Sequence, residues 1–176
     1  MKKTLLTFIG LIYSFSGFSQ KSGYKEIIIG QKINNIINKG EHTIMASKNN
    51  PTLYAVFPTD EVICGMYVDQ ISITTSPDSL ITEIKLYTKT TKLPDFDAWQ
   101  KREHGVLNNI VENVGKASYT NLGSGKMDLV AIWEFEETKT SLALRWSDVS
   151  TFATDVDSKF LFYWVKDNAA TGNKMW

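Results

Sequence analysis

Cysteine, histidine, net charge and long apolar runs are all scarce in this chain, and each shortage removes a class of protein. A single cysteine, Cys64, leaves no intramolecular disulfide to form. Its setting, Val62-Ile63-Cys64-Gly65-Met66, is apolar and predicts a buried, unreactive thiol. His42 and His104 stand apart, with no second histidine at ligand spacing, so no metal is expected. Lysine and arginine number 19, aspartate and glutamate 19, and no basic field for nucleic acid exists. No apolar stretch reaches the roughly 20 residues that a membrane-spanning helix requires.

What is present begins with an export pattern. Lys2 and Lys3 precede an uncharged apolar run over residues 5–18, with Gly17 and Ser19 just before Gln20. This predicts a signal peptide at 1–19, cleaved to leave one domain over 20–176 in the periplasm or outside the cell. No cysteine lies near the cut to carry a lipid, so a soluble mature chain is expected. A hydrophobic content of 43% with 12% aromatics predicts a packed fold rather than disorder. A domain of that size buries about two-thirds of its unfolded surface.

Along the mature chain, residues 24–29 are too few to decide between a strand and a helix lead-in. Residues 31–39 place Ile33, Ile36 and Ile37 at helical spacing before Gly40, which predicts a short helix. The Asn-rich stretch 41–51 reads as loop. Strands are expected at 53–57 and 62–75, the second joined to 80–88 through the turn Ser76-Pro77-Asp78-Ser79, which makes a hairpin over 65–88. In the returning strand Leu80, Thr82, Ile84 and Leu86 alternate with Ile81, Glu83, Lys85 and Tyr87.

A polar connector over 88–94 leads to a second helix, with Asp95 or Asp97 as its cap and Gln100 completing a capping box. Phe96, Trp99, Val106, Leu107, Ile110, Val111 and Val114 share one stripe of that helix, and Gly115 stops it. Gly105 falls on the opposite side. Glu103 lies inside the stripe, where a carboxylate is out of place unless the helix overruns the sheet edge into water. Beyond a loop at 116–126, strands are expected at 127–137, 140–147 and 159–165, with a polar loop at 148–158 and a poorly ordered tail from 166.

The helix and strand pattern occurs twice. Asn34-Asn35-Ile36-Ile37 before Gly40 answers Asn108-Asn109-Ile110-Val111 before Gly115, and Leu53-Tyr54-Ala55-Val56-Phe57 answers Leu129-Val130-Ala131-Ile132-Trp133. The fold class this predicts is α+β: two helices packed on one face of an antiparallel β-sheet, made from related helix-plus-meander halves over about 31–88 and 95–165. Val114-Gly115-Lys116 followed by strands with Trp133, in an exported protein, resembles the SmpA/OmlA outer-membrane small proteins. In tandem the unit is similar to the β-lactamase-inhibitor-protein-like fold. Ala117 stands where that family often has proline, and the lipid-bearing cysteine is missing. The resemblance implies protein-binding roles in the envelope, carried on the exposed sheet face.

No catalytic constellation emerges. Gly123-Ser124-Gly125-Lys126 lacks the earlier glycine and the strand-to-helix setting of a phosphate loop, and Thr120 stands where that glycine belongs. Ser22-Gly23-Tyr24-Lys25 matches a serine acyl-enzyme motif without its downstream partners. If the helices cover Trp133, Phe135, Leu142, Leu144 and Trp146, the reverse face presents Val130, Ile132, Ala143, Tyr163, Arg145, Glu134 and Glu136. Apolar and aromatic residues around one arginine suit a protein-binding surface, with Arg145, Tyr163, Ile132 and Glu134 as its candidate residues. Cross-strand pairing of Arg145 with Glu134 or Glu136 is the plainer expectation for the same residues. The expected function is therefore non-enzymatic binding of another envelope or secreted protein, without cofactor, as inhibitor, immunity factor or assembly accessory. A small ligand-binding or hydrolytic domain using Glu103 and His104 in a helix–sheet cleft is the alternative.

Overall fold

Period-two alternation of branched and polar residues produces most of the molecule, which is antiparallel sheet with two helices, broadly α+β. A computed structural model describes residues 21–37, 43–93, 96–121, 129–148, 151–152 and 155–166. The signal peptide, Gly40, His42, Asp95, the 123–126 loop and the tail beyond 166 lie outside the described residues, as do the side chains of Phe96, Trp99 and Trp146.

In chain order the elements are β1 (Gly23–Tyr24), β2 (Ile27–Ile28), α1 (Asn34–Ile37), β3 (Ile44–Ala46), β4 (Leu53–Val56), β5 (Val62–Ile63), β6 (Met66–Thr75), β7 (Ile81–Thr88) and β8 (Thr91–Leu93). There follow α2 (Phe96–Val114), β9 (Tyr119–Thr120), β10 (Leu129–Phe135), β11 (Thr140–Asp148), β12 (Thr151–Phe152) and β13 (Asp155–Lys166). β1 and β2 form a separate hairpin. The main sheet runs β3-β4-β6-β7-β13-β11-β10-β9, with β5 on β6 and both β8 and β12 on β13. Its middle is the pairing of β7 with β13.

Register fixes the two faces. One carries the rows Tyr54-Ile73-Ile84-Trp164-Leu142-Trp133 and Val56-Ile71-Leu86-Phe162-Leu144-Ala131, running strand to strand across six strands. All but Tyr54 are buried. They form a single apolar cluster with Tyr24, Ile27, Ile33 and Ile36 of the N-terminal segment and Val106, Leu107 and Ile110 of α2. Removing each such side chain from water contributes about 1.5–3 kcal/mol, so these rows dominate stability. Trp133 Nε1 donates to the Gly115 carbonyl just past α2 at 2.8 Å, and Cys64 Sγ, in the turn between β5 and β6, donates to Asn109 Oδ1 of α2 at 3.3 Å. Gly115 ends α2 as expected, in the left-handed conformation (φ 96°), its N–H donating to the Val111 carbonyl at 2.9 Å.

Several expected boundaries change. The strand at 62–75 is interrupted, because Cys64 and Gly65 both adopt positive φ (48° and 74°) and turn β5 back onto β6, pairing Ile63 with Met66. That is the geometry of a two-residue type I′ hairpin, hidden in the sequence by apolar neighbours. The 65–88 hairpin forms as read, but a register shift between Thr74 and Thr75 moves Ile81 to the core, breaking its alternation with Glu83. The stretches read as loop at 41–51, 88–94, 116–126 and 148–158 contribute β3, β8, β9, and β12 with the start of β13. Residues 24–29 resolve into the end of β1 and β2. Short α1 covers Asn34–Ile37 among the described residues.

Candidate binding face

The face opposite the apolar rows is also continuous. Across eight strands it carries Met45-Ala55-Ser72-Lys85-Tyr163-Ala143-Ile132-Tyr119. One adjacent row holds Leu53-Thr74-Glu83-Val165-Ser141-Glu134 and the other holds Gln70-Tyr87-Leu161-Arg145. All four candidate residues therefore share one face, on three neighbouring rows.

They do not share an environment. Glu134 is exposed and Arg145 half-buried, whereas Tyr163 and Ile132 are only 7% and 8% exposed. Ala143 between them is fully buried. The expectation that Tyr163 and Ile132 offer open contact surface is corrected: both are buried, and the Tyr163 hydroxyl is taken up by Glu83 on the same face. The expected pairing of Arg145 with Glu134 also fails on register. Arg145 stands across from Leu129 and Leu161, and Glu134 across from Ser141, so the two lie four residues apart along β11, about 13 Å at about 3.3 Å per residue.

The structure adds residues that sequence reasoning passed over. Glu83 accepts hydrogen bonds from Lys85 Nζ (2.6 Å), Thr74 Oγ1 (3.1 Å) and, on its other oxygen, Tyr163 Oη (2.7 Å). The Lys85 ammonium lies 5.0 Å from the centre of the Tyr163 ring. One row over, Lys159 lies 5.7 Å from the centre of the Tyr87 ring and 3.8 Å from Asp69. Glu83, Lys85 and Tyr87 had a signal, since they alternate with Ile84 and Leu86. Their link to Tyr163, 80 residues away, had none.

Burial pushes the Glu83 carboxyl up, but the hydrogen bonds from Lys85 and Tyr163 and the Lys85 charge outweigh it and hold the group below the usual carboxylate range. Burial, then the Glu83 hydrogen bond and charge, drive Tyr163 well above an ordinary phenol, with Arg145 pulling the other way. The sign for stability follows from the depressed carboxylate. Glu83 contributes above its unfolded value of about 4.3 and loses that contribution as pH falls through the lower folded value. Glu83→Gln is expected to destabilise by about 1 kcal/mol at pH 7, discounted for solvent screening, and by progressively less as the pH falls below about 4. Urea unfolding of both proteins across that pH range checks this.

Glu103 is 2% exposed, which overturns the expectation that it marks a helix running into water. His104, the next residue, is exposed and lies with Asp97, Gln100, Lys101, Gly105 and Asn108 along a shallow depression on the outer side of α2, which Glu103 does not line. Adjacent positions on a helix point about 100° apart, so the two do not converge as a catalytic pair. Asp97 lies in the first turn of α2, where a negative charge complements the helix dipole. Burial pushes the half-buried Cys64 thiol up to about 12, consistent with an inert group. Among the described residues no cluster of three His, Cys, Asp or Glu could hold a metal, and no helix is long and apolar enough to cross a membrane. No family model, curated protein or solved structure matches the chain.

Proposed function

We propose that this chain is an exported, non-enzymatic protein-binding domain of the cell envelope, acting as an inhibitor, immunity factor or assembly accessory and taking its partner on the reverse face of the sheet. In this reading both helices cover the apolar rows. Two related halves, 31–88 and 95–165, then meet at β7 and β13, and residues 1–19 direct export. The strand order, which runs outward from β7 and β13 through two four-strand sets, supports the two halves. A residue-for-residue match of Leu53–Phe57 with Leu129–Trp133 is set aside, because Ala55 pairs with Ser72 on the reverse face while Ala131 pairs with Leu144 on the apolar face. A slip of one residue reverses every side chain, so the halves correspond with an odd shift there.

The observation that carries the reading is the middle of the reverse face. Lys85, Tyr87 and Leu161 are each half-buried, as is Arg145 beside Leu161, and all lie together on β7, β13 and β11. A mixed aromatic, aliphatic and cationic patch at the centre of a broad sheet, rather than at its edge, has the composition of a binding core. The groups near it titrate away from neutrality, Glu83 below its ordinary range and Tyr163 above, which suits fixed recognition better than proton transfer. Affinity capture from envelope extract tests this. Lys85→Glu with Leu161→Asp is expected to release the captured partner while Lys101→Ala with His104→Ala retains it. Equal retention by both variants, each folded as judged by circular dichroism, would remove the reverse face from consideration.

A further inference from the structure

Resting on that reading, we infer that the partner delivers an acidic side chain, aspartate or glutamate, to Arg145, with apolar neighbours of that residue seated on Leu161 and Tyr87. The cations of this face are not equivalent. Lys85 is neutralised by Glu83 and Lys159 is matched by Asp69. Arg145 has no ion pair among the described residues, although it is half-buried and its Nε is inaccessible to solvent and makes no hydrogen bond. Its Nε is shut away from any partner, but an arginine without a counter-charge is costly in the free protein, and a planar guanidinium is well shaped to recover that cost by gripping a carboxylate end-on through its terminal nitrogens.

Placement supports the same occupant. Arg145 lies across from Leu161, and Tyr87 lies across from Leu161 on the far side, so cation, aliphatic and aromatic side chains stand in one line over three strands. The neighbouring row brings Tyr163 and Ala143 alongside. An extended segment laid across these strands with one carboxylate between apolar residues would match that line in charge and polarity. Burying a rigid arginine–carboxylate contact inside an apolar rim is the arrangement in which such a pair contributes most to affinity.

The test uses the mature chain and a defined probe, followed by nuclear magnetic resonance: a ten-residue peptide with a single glutamate and with valine and phenylalanine two residues to either side, so that in extended form the three side chains share one face, beside its glutamine counterpart. The glutamate peptide is expected to move the Arg145 Nε–Hε resonance and the Tyr87 ring signals, with affinity falling at least tenfold in the glutamine peptide and in Arg145→Gln. Arg145→Lys should recover only part of it. Equal binding of the two peptides, or no displacement at Arg145, would overturn the inference. So would alginate binding at Arg145 as tightly as the glutamate peptide, since a carboxylated polysaccharide would then be the better occupant. Capture separates this failure from failure of the wider reading. If Leu161→Asp releases the envelope partner and Arg145→Gln does not, the face binds but the acidic anchor is wrong. If neither variant releases it, the face itself is wrong.

Discussion

Gly23→Ala is expected to detach the N-terminal hairpin and lower the midpoint of thermal unfolding by about 10 °C. A Cβ built on Gly23 would stand 2.1 Å from the Ile27 carbonyl oxygen and 2.9 Å from the Ile28 Cα. Both are backbone atoms of the paired strand, so no side-chain rotation relieves the clash, and β1 must separate from β2. Separation withdraws Tyr24 and Ile27, which are 2% and 1% exposed, from the apolar rows. It also removes the Tyr24 ring from Trp164, 6.2 Å away, and the Tyr24 hydroxyl from Glu61, to which it donates at 2.7 Å. Losing two buried side chains of this kind costs about 3–5 kcal/mol, against a total of about 5–15 for a domain. At about 2–4 °C per kcal/mol in a chain of this length, the shift is easily read by circular dichroism. A midpoint within a degree or two of the parent would mean that the hairpin is not an integral part of the fold. Gly105 makes the contrast, because nothing lies within 4 Å of its missing Cβ on the exposed side of α2.

The second large effect is expected at Trp164. This side chain sits between Ile84 and Leu142 in the apolar row, nearly parallel to the Phe162 ring at 6.4 Å, and beneath Tyr24. It is 1% exposed and belongs to β13, the strand on which both four-strand sets converge. Trp164→Ala opens a cavity that the surrounding strands cannot close without breaking ladder hydrogen bonds, so the expected loss is about 3–5 kcal/mol. Urea unfolding should show a lower midpoint with an unchanged slope. A loss under about 1 kcal/mol would show that the centre of the sheet is not where the core is built.

What the sequence made legible follows from the range of the forces involved. Burial of Val106, Leu107 and Ile110 on the α2 stripe, the 65–88 hairpin apart from the side taken by Ile81, and the facing of Trp133 with Leu142 and Leu144 depend on periodicity within one segment, and these are found as read. The strands read as loop, β3, β8, β9 and β12, and the pair left undecided, β1 and β2, have two or three residues each and exist only because a partner strand lies beside them. No local pattern specifies such pairing. The Cys64-Gly65 turn was masked by its apolar setting, since backbone angle rather than polarity makes it a turn. For the candidate face, alternation placed Ile132 and Glu134 of β10 and Ala143 and Arg145 of β11 on one side, as the register has them, but it carried no information on their exposure. Thus Ile132 and Tyr163 proved buried, while Lys85, Tyr87 and Leu161, only half-buried at the centre, were not singled out.

The most direct test of binding on the reverse face places a photoactivatable phenylalanine analogue at Leu161 in one protein and at His104 in another, both irradiated in envelope extract. Position 161 should yield a covalent adduct with one envelope protein, lost on competition with unlabelled mature chain, and position 104 should yield none. An adduct from 104 alone would place the partner on the outer side of α2 and contradict the account.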